Sequence, residues 1–277
     1  MQPEPNSVTE LNLRGPFRHE DLAMFESTSH FGEVDIRDQD LITVKIAKEL
    51  QRVRSVGSLV IWCDVTRAAM RYVISRPNLR ELVVFGLKHP GKLTGFERAS
   101  GLEKLVCMYG VSEDDLFEFS KLPNLKSIDV KFSNLTRRAL ERLLLMPTLT
   151  SIDVEDTEFD DDMASIVSQS ETITELEVGA SKLTSKGFRK ICRMKQLAVL
   201  DVWSTDITEA DLEHLSRLPN LAYLSIGGFE DQTRLTAAGV IPHLERIKSL
   251  KRLWLDGIPM TPGQREMLEA RYEKVRF

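Results

Sequence analysis

Apolar and polar side chains alternate in short runs that return at intervals of about 24 residues along the chain. The cleanest run is Leu197-Ala-Val-Leu200-Asp-Val202-Trp-Ser-Thr205-Asp-Ile207-Thr208, and Leu149, Ile173 and Leu221 open similar ones. Alternation over so short a stretch predicts a strand with one face buried. A polar turn and an apolar pattern at helical spacing follow. In this copy the helical face is Leu212, Leu215 and Leu218. Its counterparts are Leu116, Phe119, Leu122; Leu140, Leu143, Met146; and Phe188, Ile191, Met194. Ser112-Glu-Asp-Asp115 and Thr208-Glu-Ala-Asp211 resemble capping boxes, and Thr261-Pro-Gly-Gln264 adds Pro at the first helical position. Pro123, Pro147 and Pro219 end their helices and launch the next strand.

The frame extends in both directions. Its opening residues are Val8, Phe31, Val56, Leu79, Leu102, Leu125, Leu149, Ile173, Leu197, Leu221, Leu250 and Tyr272, 22 to 25 apart except for one step of 29. Further apolar residues stand three and five positions after nearly every opener, as Leu200 and Val202 do after Leu197. Such self-similarity marks an array whose units bury their apolar faces against their neighbours. Eleven units and a closing strand fill residues 1–277 as a single expected domain, with residues 1–7 expected as a disordered tail.

A strand, a crossover helix and a parallel strand within one unit stack only as a right-handed coil. Through the motif Leu-x-x-Leu-x-Val-x-x-Thr-x-Ile-Thr at Leu197–Thr208, the chain resembles the leucine-rich repeat family over essentially its whole length. The resemblance implies an α/β horseshoe solenoid of the short intracellular type, with a parallel concave sheet and helices on the convex side. Where that family usually has Asn, this chain has Ser133, Thr157, Ser181 and Thr205, so a ladder of hydroxyls is expected to satisfy the turns. The resemblance also implies a non-catalytic protein-interaction module: a scaffold, an inhibitor, a substrate-recognition subunit or a bacterial effector.

Strand residues between the buried ones face the concave side. They read Val60 with Trp62, Val83 with Phe85 and Val106 with Met108, then Asp129, Asp153 with Glu155, Glu175 with Glu177, and Asp201. Trp203, Tyr223 and Trp254 follow, and Phe229 lies in the rim loop 227–232. Large apolar side chains at outward positions tend to mark contact sites, with Trp and Tyr as common anchors. Carboxylates on adjacent strands repel one another, which a basic partner relieves. The expected partner surface is therefore Trp62, Phe85, Met108, Asp129, Asp153, Glu155, Glu177, Asp201, Trp203, Tyr223, Phe229 and Trp254. It is expected to meet a protein with basic and apolar groups.

Composition narrows this picture further. A net charge of −5 argues against nucleic acid and anionic membranes as partners. No basic or apolar leader opens the chain, and Cys63, Cys107 and Cys192 lack metal or redox spacing, so an intracellular location is expected, with signal-independent secretion left open. No cofactor, metal or catalytic residue is expected. Two alternatives remain beside the binding module. One is a nucleotide-binding protein or enzyme using Gly86–Thr94, which matches seven positions of a phosphate loop but has Leu93 at the eighth. The other is a purely structural arm. The carboxylate-rich stretch Glu155–Asp162 reads as a helix start at Asp160 rather than a calcium loop, and the five histidines form no ligand spacing.

Overall fold

The computed structural model describes residues 10–24, 30–53, 55–76, 78–229 and 233–277. The expected tail, the opener Val8 and the end of the 227–232 loop lie outside them. The described residues form two compact units that divide between Ser133 and Asn134.

The first unit contains strands β1 (Glu10–Arg14), β2 (His30–Arg37), β3 (Leu41–Ile42), β4 (Ser55–Thr66), β5 (Glu81–Lys88), β6 (Lys104–Tyr109) and β7 (Ser127–Asp129). They run parallel in the order β1-β2-β4-β5-β6-β7, with β3 pairing the far end of β4. The register aligns Asp35, Val60, Val83, Val106 and Asp129 across the sheet, as the repeat frame requires. Helices α1 (Val44–Leu50), α2 (Arg67–Val73) and α3 (Glu113–Phe119) follow β3, β4 and β6. After β5 there is only a turn of 3-10 helix, Phe96–Arg98.

The second unit contains three-residue strands in sequence order: β8 (Ser151–Asp153), β9 (Glu175–Glu177), β10 (Val199–Asp201), β11 (Tyr223–Ser225), β12 (Arg252–Trp254) and β13 (Lys274–Arg276). Its helices are α4 (Arg137–Leu144), α5 (Asp161–Val167), α6 (Ser185–Ile191), α7 (Ala237–Leu244) and α8 (Pro262–Arg271), with a 3-10 stretch, Glu209–Arg217, between β10 and β11. One column reads Asp153, Glu177, Asp201, Ser225, Trp254, and a second reads Ser151, Glu175, Val199, Tyr223, Arg252.

Each unit is an α/β repeat solenoid whose core lies between sheet and helices. The openers from Val56 to Tyr272 are buried, as are the helical faces assigned from their spacing. Both capping boxes exist as read, and Thr261 with Gln264 makes a third behind Pro262. The hydroxyl ladder is partly built: Thr157 and Thr205 each donate to the carbonyl three residues back at 2.7 Å.

In the second unit the ladder outlasts the strands. Asp156, Ala180 and Ser204 donate their backbone N–H groups to the carbonyls of Gly179, Trp203 and Gly227 on the next repeat. All three adopt left-handed backbone, with φ near +50°, a region that disfavours a Cβ. Ala180→Val should therefore cost roughly 1–2 kcal/mol, whereas Ala180→Gly should stay within about 0.5 kcal/mol of the parent because relieved strain offsets added unfolded-state freedom. Urea midpoints of the two variants check this.

Candidate functional site

Exposed aromatic side chains gather on the sheet of each unit. In the first, Trp62 and Phe85 are exposed where expected, at 45% and 40%. Phe85 packs against Tyr109 with ring centroids 5.0 Å apart, and Tyr109 stacks on Phe132 at 4.8 Å. Tyr109 and Phe132 were not singled out from sequence, and Met108 is only half-exposed beside them. The cause is local. Phe132 takes left-handed backbone at φ +55°, so its ring stands one position later than simple alternation places it, and Tyr109 at the end of β6 stacks on it. Arg37 lies over the Trp62 ring at 5.5 Å, while Asp35 holds its Nε at 2.9 Å.

The expected acidic residues divide into two kinds. Asp129, Asp153 and Asp201 each accept the backbone N–H two residues on, from Lys131, Glu155 and Trp203 at 3.2, 3.2 and 2.8 Å. These bonds give the column a structural task, and Asp153 and Asp201 are buried at 7% and 3% exposure. Glu155 and Glu177 are half-exposed, so they are the acids that reach outward. Oxygens of Asp153, Glu155 and Glu177 lie within 4.8 Å of one another.

Beside these acids the second unit has an open cavity of about 760 Å³, whose lining includes Glu155, Asp201, Trp203, Phe229 and Trp254 together with Arg265 and Arg276. Trp203 meets Phe229 edge-on at 4.7 Å, and Tyr223 meets Trp254 edge-on at 5.2 Å. Tyr223 itself is buried at 8% exposure. Burial first, then the fields of Asp201, Glu177 and Glu155, push its hydroxyl pKa up. Arg276 lies 5.1 Å over Trp254 with its Nε 3.0 Å from Asp256. Gly227 carries φ +119°, and a Cβ there would stand 2.1 Å from the Asp256 carbonyl oxygen, so only glycine lets this wall close.

The candidate phosphate loop has a different task. Residues 86–88 belong to β5, Leu93 is buried, and no α-helix begins at Lys92. The Pro90 carbonyl instead accepts the N–H of Ala68 at 3.4 Å, satisfying an open donor in the first turn of α2, where Thr66 makes no side-chain cap. Asp160 caps α5, accepting from Asp162 and Met163 at 3.0 and 2.9 Å. The three cysteines are buried and free. Burial pushes the Cys63 and Cys192 thiols up to about 12, and Cys107 further, so none is a poised nucleophile. Among the described residues no helix is long and apolar enough to cross a membrane.

No protein-family model and no curated protein matches the chain. Solved structures do. An internalin (inlF) from Listeria monocytogenes str. 4b F2365 aligns over 89% of this chain and 80% of its own, with 15% identity and TM-score 0.51. An internalin C2 (inlC2) from the same strain aligns over 76% and 84%, with 12% identity and TM-score 0.51. A TLR13–ssRNA13 complex aligns over 88% of this chain at 16% identity and TM-score 0.55, this chain spanning 35% of that one. These likenesses bear on fold alone. Together with one parallel strand per repeat and the Leu-x-x-Leu-x-Val frame, they identify the fold as an α/β leucine-rich repeat solenoid.

Proposed function

We propose that the chain is a non-catalytic protein-binding module that takes a partner with basic and apolar groups on the helix-free faces of its sheets. The observation that carries this reading is the set of large aromatics left on those faces: Trp62, Phe85, Tyr109 and Phe132 in one unit, and Trp203 and Phe229 beside outward glutamates in the other. Exposed rings cost solvation unless covered, and rings framed by charge are common anchors for partners. A single-stranded RNA, the ligand named for the TLR13 structure, would meet the wrong sign of charge at Glu155 and Glu177. A reducing, intracellular setting suits three unpaired thiols.

Selection of a random phage-displayed peptide library on the immobilised protein tests the reading. Enriched peptides should combine Arg or Lys with aliphatic or aromatic residues. Trp203→Ala or Trp62→Ala should weaken a selected peptide by about 30-fold, the size of a hot-spot truncation. Glu177→Lys probes charge better than a change at Asp153, whose carboxylate is committed to the backbone. Selected peptides without net positive charge, or binding that ignores all three substitutions, would remove this function.

A further inference from the structure

We propose that the aromatic row of the first unit seats a proline-rich segment of the partner in the polyproline II conformation. This rests on the protein-binding reading and names the chain conformation that the row selects.

Three departures from regular strand geometry assemble the row. Trp62 and Cys63 together oppose Phe85 alone where β4 pairs with β5, and this bulge leaves Cys63 in the core and Trp62 outside. Gly86 stands opposite Tyr109, and a Cβ there would lie 3.2 Å from the Tyr109 Cβ. The absent side chain leaves that ring room beside Phe85. Left-handed backbone then brings out Phe132, whose ring lies nearly parallel to that of Tyr109, at 10°. The result is four rings from four successive repeats, each 40–45% exposed.

Charge decides for an uncharged occupant and against a nucleic acid. The cations beside the row are already matched: Arg14 by Asp38 at 3.4 Å, Arg37 by Asp35 at 2.8 Å and Lys88 by Asp64 at 3.4 Å. Lys131 is not free either. Phosphates would find no uncompensated positive charge there to replace their counter-ions. Two neutral donors, by contrast, are unspent. Among the described residues neither the Trp62 indole N–H nor the Tyr109 hydroxyl has an acceptor.

A polyproline II strand matches this set. It makes no internal hydrogen bonds, so its carbonyls are open to such donors, and its pyrrolidine rings are apolar and uncharged. Its shape is set before binding, so little ordering cost falls on a shallow face. The spacing agrees as well. Trp62 on β4 and Tyr109 on β6 stand two strands apart in the sheet. Side chains so placed recur at roughly 9–10 Å, and polyproline II repeats every ~9.3 Å.

The experiment is a titration of the full chain, with indole-¹⁵N-labelled tryptophan, by acetyl-(Ala-Pro-Pro)₄-amide, by the flexible acetyl-(Ala-Gly-Ala)₄-amide and by an oligouridylate of matching length. The proline peptide should shift the Trp62 indole signal saturably and leave those of Trp203 and Trp254 in place, with the signal assigned through Trp62→Phe. Tyr109→Phe keeps the ring and removes the hydroxyl, and should weaken the proline peptide by roughly fivefold. Phe85→Ala should weaken it by about tenfold, and the flexible peptide and the oligouridylate should bind at least about tenfold more weakly. Equal binding of the oligouridylate overturns the choice of occupant, and equal binding of the flexible peptide overturns the choice of conformation. A Tyr109→Phe variant that binds as the parent does overturns the backbone contact on which that choice stands. A Trp62 signal that the proline peptide leaves unmoved, while library-selected peptides bind, overturns this seat and leaves the binding module intact. If selected peptides fail as well, both readings fall together.

Discussion

Replacing Asp115 with alanine is expected to lower the stability of the first unit by roughly 3–5 kcal/mol, the cost of stranding a buried charge. Asp115 and Arg67 are 3% and 7% exposed, and the guanidinium grips the carboxylate through Nε at 3.0 Å and a terminal nitrogen at 2.7 Å. The pair joins the starts of α2 and α3, 48 residues apart, past the repeat that has no α-helix of its own. Asp115 also accepts the Ser112 N–H, so alanine removes a cap as well as a counter-ion. Asp115→Asn keeps an acceptor for the cap but leaves Arg67 uncompensated. The double variant Arg67→Met/Asp115→Asn removes the stranded cation and should be more stable than Asp115→Asn alone. Urea unfolding of the set measures this, and an Asp115→Ala loss below about 1 kcal/mol would refute it.

The same pair sets a pH dependence. Burial raises the Asp115 carboxyl, but the bonds from Arg67 and Ser112 outweigh it and hold the folded value below the usual carboxylate range. A depressed folded pKa means that the contribution is full above the unfolded value of about 3.9 and is lost as pH falls through the folded one. The urea midpoint should therefore drop between about pH 5 and pH 2, and Asp115→Asn should flatten part of that slope.

Phe188→Ala is the second large effect, at about 3–5 kcal/mol. The Phe188 ring is fully buried on α6, and a close-packed interior relaxes only partly into the void that alanine leaves. Because repeats are stabilised mainly by the units beside them, the loss should spread locally rather than evenly. Amide exchange should accelerate most between Leu149 and Leu221, in the repeats flanking α6. Uniform acceleration across the second unit would show instead that it melts as one block.

The fold was legible because it depends on features that act locally. Leu200 and Val202 alternate into the core, Leu212 and Leu215 follow at helical spacing, and Ser112 with Asp115 signals a helix start. The candidate surface was less legible, because outward position and exposure are different things. Asp153 and Asp201 sit on the correct column, yet each turns its carboxylate onto a backbone N–H and is buried. Phe132 was missed because its left-handed backbone shifts which ring stands outward, and Tyr109 because strict alternation along β6 assigns its position to the core. The Arg67–Asp115 link joins residues two repeats apart, and periodicity carries no information about such a pairing. The Gly86–Thr94 loop looked like chemistry because Pro and Gly are also what a chain needs to pass closely over Ala68, where a Cβ on Gly91 would stand 2.8 Å from that residue's Cβ.

The walls of the cavity, Glu155, Trp203, Phe229 and Trp254, belong to different turns of the coil, and the spacing between turns is nearly constant. Duplicating or excising one 24-residue segment would leave the backbone architecture intact while bringing a different set of side chains face to face. Ligand preference in such a chain is thus editable by recombination between similar segments, without the slow route of point substitutions that each risk the core.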